Sequence, residues 1–192
     1  MATAEIRTDG RRLRADDSRR RIALAMLDLV KSGHVAPSAD EVAAHAGVGR
    51  RTVFRLFNDM EGVYREMHGV MVSRLAPLFA APLEAKTWRA RVDEIIDRRT
   101  RMFEEMLPIK SAADAHRYRS DFLQTEHRKI TKLQRDTLLD VLPESVRADD
   151  ELIEALDLTL SFEAWRRLRY EQRLSAKRAA AVLHRTVAAL LD

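Results

Sequence analysis

The chain has no cysteine in its 192 residues, and that absence removes disulfides, thiolate metal sites and thiol nucleophiles together. Aromatic residues are sparse at 6%, so the core has to come from aliphatic side chains. Glycine stops early. All six glycines (Gly10, Gly33, Gly47, Gly49, Gly62 and Gly69) precede residue 70, which leaves the rest of the chain without the residue that most tight turns favour. There is no apolar run near the ~18 residues of a membrane span, and residues 1–20 carry charges where a secretion signal needs its apolar segment. A cytoplasmic protein is predicted. A sustained alternation of β-branched residues is missing too, so strands are not expected.

What is present reads as helix. Hydrophobic residues make up 46% and charged residues 33%, enough for one large or two small packed domains. Pro77, Pro82, Pro108 and Pro143 are the expected punctuation after residue 70, dividing Ala-, Leu-, Arg- and Glu-rich segments of helical length. The net charge of +4 is modest, but it is unevenly placed. Arg7, Arg11, Arg12, Arg14, Arg19, Arg20 and Arg21 face only Asp9, Asp16 and Asp17, which makes a basic N-terminal arm.

The first helix is predicted over 18–31, with Ile22, Ala25 or Met26, Leu29 and Val30 on one face. Ser38 and Glu41 have the Ser-x-x-Glu spacing of a capping box, and the helix they open reaches Ala46. Gly47 can take the left-handed conformation that ends it, and Gly49 can cap the next. In that next helix Val53, Leu56 and Phe57 share a face by the i, i+3, i+4 rule, whereas Arg51, Thr52 and Arg55 share another. Asn58 and Glu61 look like a further capping arrangement. Two short helices about a glycine turn, one packing and one offering arginines, form a helix-turn-helix suited to the major groove. The predicted DNA contacts are Ser38, Arg50, Arg51, Thr52 and Arg55, with Arg11, Arg12 and Arg14 of the arm on phosphates.

The run "EVAAHAGVGRRTVFRLFNDMEGV" resembles the N-terminal motif of the tetracycline-repressor (TetR) family through Val42, Ala43, Ala46, Gly47, Val48, Thr52, Val53, Phe54, Phe57, Asp59, Glu61 and Val63. The motif covers residues 41–63, about an eighth of the chain, and the tail from Trp165 to Leu191 is similar to the closing helices of many members. The resemblance implies an all-α protein with an N-terminal three-helix DNA-binding domain and a C-terminal helical domain for effector binding and dimerisation. On it the chain divides into an arm (1–17), a DNA-binding domain (18–64) and an effector and dimer domain (65–192). It implies a homodimeric transcription regulator, a repressor that a small molecule releases from a palindromic operator. Members often have Tyr, His or Tyr, and Lys where this chain has Phe54, Leu56 and Met60, so its phosphate contacts must be arranged differently.

Beyond residue 65, Arg99 sits in an apolar stripe with Trp88, Val92, Ile95, Phe103 and Met106, and Glu126 and His127 lie near Phe122 and Ile130. A charge on such a stripe needs a partner. An Arg99–Glu126 ion pair is the first expectation; the second is a polar lining for a ligand cavity built from Trp88, Arg99, Phe103, Phe122, Glu126, His127 and Trp165. A helical enzyme using Arg99, Glu126 and His127 is the alternative function, but no nucleophile, metal or phosphate-loop motif supports it, and no cofactor is expected. His116 and His127 lack an acidic partner at ligand spacing. From 149 to 172 apolar residues cover more than one helix face. The helices of 150–191 therefore either close one subunit's core or form a four-helix dimer interface. The interface is the expectation, carried by Leu156, Leu160, Trp165, Leu168, Leu183 and Val187.

Overall fold

The computed structural model describes residues 2–34 and 36–192; the side chains of 2–12, Phe79, Ala115 and His116 lie outside the described set. Among the described residues every regular element is helical: α1 (Ala2–Lys31), α2 (Ala39–His45), α3 (Arg50–Phe57), α4 (Met60–Ala80), α5 (Trp88–Arg117), α6 (Asp121–Leu139), α7 (Glu144–Arg147), α8 (Asp150–Thr159), α9 (Phe162–Arg166), continued by a π turn at Arg167–Glu171, and α10 (Ala176–Leu191). No described helix is long and apolar enough to cross a membrane. The chain forms two compact units, Met1–Arg74 with Pro108–Gln124, and Leu75–Leu107 with Thr125–Asp192.

Helix boundaries depart from expectation where local signals are weak. Helix α1 begins at Ala2 rather than at residue 18, so the backbone of the basic segment is helical. No proline interrupts it, and Asp17 supports it by an i, i+4 pair with Arg21 at 3.5 Å. Pro77 and Pro108 lie inside α4 and α5 instead of separating helices. A proline removes one intrahelical bond, and the buried neighbours Leu75, Leu107 and Ile109 keep these helices packed on either side.

In the first unit α1, α2, α3 and the start of α4 enclose Ile22, Met26, Val30, Val42, Ala43, Val53, Leu56, Phe57 and Val63, all buried. Each large aliphatic or aromatic side chain contributes about 1.5–3 kcal/mol by leaving water. Gly62 in the first turn of α4 lies against α3: a Cβ there would stand 2.5 Å from the Phe57 carbonyl oxygen. Only glycine permits that approach.

The second unit packs the first five turns of α5 with α6, α8, α9 and α10 around Ile96, Phe103, Leu138, Leu156, Phe162, Trp165 and Leu183. Phe103 and Phe162 meet edge to face at 5.7 Å. The apolar excess over 149–172 is explained by a break. Helix α8 ends at Thr159, and the Ser161 hydroxyl accepts the Ala164 N–H at 3.1 Å to start α9 in a new direction. Ile153, Leu156, Leu160, Phe162, Trp165 and Leu168, which would cover two faces of one continuous helix, thus occupy the inner faces of successive segments, while Leu158 stays outside.

Polar ties surround this core. Arg135 bridges Glu154 (2.6 Å) and Asp157 (3.3 Å), and Arg169 donates to Glu104 at 2.8 Å. His184 of α10 lies between Asp97 (2.9 Å) and Asp93 (3.1 Å) of α5. Burial disfavours its charged form, but the two carboxylates outweigh that and raise its pKa above 6.5. A pKa raised on folding contributes stability that is complete below the unfolded value and is lost as pH rises through the folded one. The urea midpoint is therefore expected to fall as pH rises above the ordinary histidine range, and His184→Asn to flatten that dependence. Parallel pH profiles for both proteins refute the assignment.

Candidate nucleic-acid interface and ligand pocket

Local chemistry sets the helix-turn-helix. The Glu41 N–H donates to the Ser38 hydroxyl oxygen (3.3 Å), and the Glu41 carboxylate accepts the Ser38 N–H (2.8 Å) and hydroxyl proton (2.7 Å). Those bonds, the backbone one foremost, hold the Glu41 carboxyl below the usual carboxylate range. Helix α2 ends at Gly47 with φ of +64°, and the Val48 N–H reaches back to the Ala43 carbonyl at 3.0 Å. Helix α3 follows from Gly49. Its far end differs from expectation: Asn58 is the α3 C-cap at a φ of 60°, and Asp59 caps α4 by accepting the Gly62 N–H at 2.9 Å. Asparagine tolerates the left-handed region, so the chain reverses one residue later than the Asn58–Glu61 spacing suggests.

Helix α3 buries Val53, Leu56 and Phe57 and exposes Arg50, Arg51, Phe54 and Arg55, with Thr52 half-buried. The three arginines are not equivalent. Arg50 donates to Asp40 at 3.0 Å and lies over the Phe54 ring at 5.5 Å, so α2 and α3 hold it. Arg51 and Arg55 have no ion pair among the described residues, which leaves their forked donors open to an incoming anion. Leu56 points into the core and cannot reach a phosphate. Ser38 is exposed, but its hydroxyl proton is engaged by Glu41. Arg14 is exposed; the side chains of Arg11 and Arg12 lie outside the described residues. Arg19 stacks on the Phe57 ring at 5.3 Å, fixing α1 on the end of α3.

In the second unit a pocket of about 510 Å³, mouth included, opens among α4, α5 and α6, with Leu78, Leu83, Ile95 and Met102 as its apolar walls. Arg99, Gln134 and Thr137 add polar groups, and Arg98 and Ala81 lie in the lining with them. Arg99 is 5% exposed. Its guanidinium donates to the Leu160 carbonyl at 3.2 Å and to the Gln134 carbonyl. Burial pushes its pKa down to about 10, against the opposing field of Asp157.

Of the seven side chains that the sequence suggests for a ligand site, only Arg99 lines this pocket. The Arg99–Glu126 ion pair is not formed: Glu126 accepts from Lys129 at 2.7 Å on its own helix, because a neighbour one turn away closes the pair locally. His127 is half-buried away from the lining. Phe122 belongs to the first unit, under the Arg65 guanidinium at 4.1 Å. Phe103 and Trp165 are core, and Trp88 is the half-buried first residue of α5 with Arg89 over its ring at 4.6 Å. The lining comes from three separate helices and the segment after α4, so no local pattern marks it; only the Ile95–Arg99 spacing points there.

The interface residues are also corrected. Leu156, Leu160, Trp165, Leu168, Leu183 and Val187 are all buried within one chain, at 7% exposure or less. They belong to the core of the second unit. The apolar residues left outside are Leu158 on α8, 70% exposed, and Val182 on α10, 39% exposed, with Ala181 and Ala189 beside the latter.

No protein-family model matches the sequence, and no curated protein matches it. Solved structures do. A protein from Rhodococcus sp. assigned to the TetR family of transcriptional regulators superposes with a TM-score of 0.68 at 12% identity, over 92% of this chain and 100% of that one. A TetR-family transcriptional regulator from Streptomyces coelicolor gives 0.69 at 19% identity, over 91% of this chain and 80% of the other. At these identities the likeness is one of fold, and over nine-tenths of its length this chain folds as those TetR-family regulators do.

Proposed function

We propose that this protein is a DNA-binding transcription regulator, a cytoplasmic homodimeric repressor that leaves a palindromic operator when a small molecule enters its C-terminal part. The observation that carries this reading is α3: Val53, Leu56 and Phe57 anchor it, while Arg51 and Arg55 project without an ion pair among the described residues from a helix that a glycine turn sets apart. Residues 18–64 then read the major groove, residues 1–17 bind phosphates, and residues 65–192 bind the effector and the second subunit. Two copies are needed because one helix-turn-helix reads one half-site, and half-sites one turn apart demand recognition helices roughly 34–36 Å apart. The effector acts by binding one spacing of those helices more tightly than the other.

The second-copy surface we assign to the outer faces of α8 and α10. Leu158 and Val182 are apolar and exposed there, the alanines allow close approach, and Glu151 on α8 is opposite in charge to Arg178 and Arg185 on α10.

Selection of bound duplexes from a random pool tests the function. A recovered palindrome, with affinity that falls steeply as salt rises, is the expected result. Deletion of residues 1–15 is expected to weaken binding to all duplexes alike and to flatten the salt slope. Enrichment of no sequence, or an unchanged slope after truncation, refutes the respective part.

A further inference from the structure

Arg99 carries a charge that no acid neutralises at contact distance among the described residues. Its two recorded partners are the carbonyls of Gln134 and Leu160. Asp157 acts on it from farther away, while its own carboxylate pairs with Arg135 at 3.3 Å. A guanidinium has five N–H donors, so two carbonyls leave it under-used, and carbonyl dipoles do not cancel a full charge. The surroundings make this costly: Leu78, Leu83, Ile95 and Met102 line the same pocket. A bridge between helices needs no permanent cation at such a place. An anion site does.

The neighbouring Arg98 limits the charge of the ligand. It is held by Glu94 at 2.6 Å and by the carbonyls of Ala81 and Pro82, so it brings no net charge to the lining. One uncompensated cation among aliphatic walls matches one negative charge on an aliphatic body. A dianionic phosphate would keep a surplus charge out of water.

We propose that this pocket binds a small aliphatic monocarboxylate, its carboxylate on Arg99 and its chain against Leu78, Leu83, Ile95 and Met102. This rests on the reading of residues 65–192 as an effector domain and gives that effector a chemical class. Gln134 and Thr137 supply neutral polar contacts beside the head group.

Calorimetric titration of the whole protein with butanoate, hexanoate, octanoate and decanoate, and with octanol and octylamine, tests it. Octanoate is expected to bind once per subunit, octanol more weakly by about thirtyfold or more, and octylamine not at all, because removing one charge of a buried pair strands the other. Arg99→Met should abolish the preference for octanoate over octanol. Leu83→Trp, which fills the pocket but keeps the charge, should abolish octanoate binding without lowering the melting temperature of the free protein. It also decides the matter if Arg99→Met fails to fold. Equal binding of octanoate and octanol, no binding of any carboxylate in the series, or undiminished octanoate binding by Leu83→Trp overturns the proposal. Operator affinity is measured in parallel. Octanoate binding that leaves it unchanged defeats effector release but keeps the site; intact operator binding without carboxylate binding defeats the site alone.

Discussion

Leu183→Glu is expected to unfold the protein rather than to separate two subunits. Leu183 is 3% exposed inside a single chain, with Ala179 and Val187 buried on the same face of α10. Its loss removes about 2–5 kcal/mol of packing, and a glutamate without a partner adds several kcal/mol of desolvation. Against a total stability of about 5–15 kcal/mol, the sum leaves little or none. Far-UV circular dichroism should show most of the helical signal lost at room temperature. The contrast is with Leu158→Glu combined with Val182→Glu. Both positions face outward, so the doubly substituted chain should keep its helical signal and sediment as a monomer with much reduced operator affinity. A folded, dimeric Leu183→Glu variant contradicts the core assignment; a dimer that survives the outward pair of charges moves the subunit contact elsewhere.

The second large effect is on DNA. Arg51→Ala with Arg55→Ala is expected to reduce affinity for the selected operator by roughly a thousandfold. Each lost base contact costs about 1–3 kcal/mol, and the two-fold repeats both losses, so even the low end reaches about 4 kcal/mol. Helicity and melting temperature should barely change, because both side chains are exposed and unpaired among the described residues. Arg50→Ala should behave differently. Arg50 is tied to Asp40 and stacked on Phe54, so its removal loosens the α2–α3 contact as well as any DNA contact. Retention of operator affinity within a few-fold by the double variant removes α3 from the groove.

The helix-turn-helix was legible because its determinants lie within one or two turns of each other. Ser38 and Glu41 close a box, Gly47 supplies a backbone conformation that other residues resist, and Val53, Leu56 and Phe57 fall on one side of eight residues. The absence of late glycines and of strand alternation was sufficient for an all-helical fold. The prolines misled, because a proline inside a helix costs one bond that long-range packing can offset, and sequence spacing does not show whether that packing exists. Asn58 misled by one residue, since both Asn58 and Asp59 are good caps and only the approach of α4 at Gly62 chooses between them.

Everything that joins distant segments was decided by tertiary structure. The six buried leucine, tryptophan and valine positions of α8 to α10 have the periodicity of an interface and of a core alike; the break at Leu160–Ser161 lets those of α8 and α9 turn inward, where Leu183 and Val187 of α10 are also buried. Arg99 was identifiable as a charge in need of a partner, but its partners turned out to be carbonyls 35 and 61 residues away. Backbone carbonyls exist at every position, so no residue type in the sequence announces them. By itself the sequence determined that the chain is helical, where the helix-turn-helix lies and which face of α3 is basic, because helix periodicity and capping act between near neighbours. Only the folded chain decided which apolar faces meet and where a buried charge is left open, because packing is settled between residues that the sequence keeps far apart.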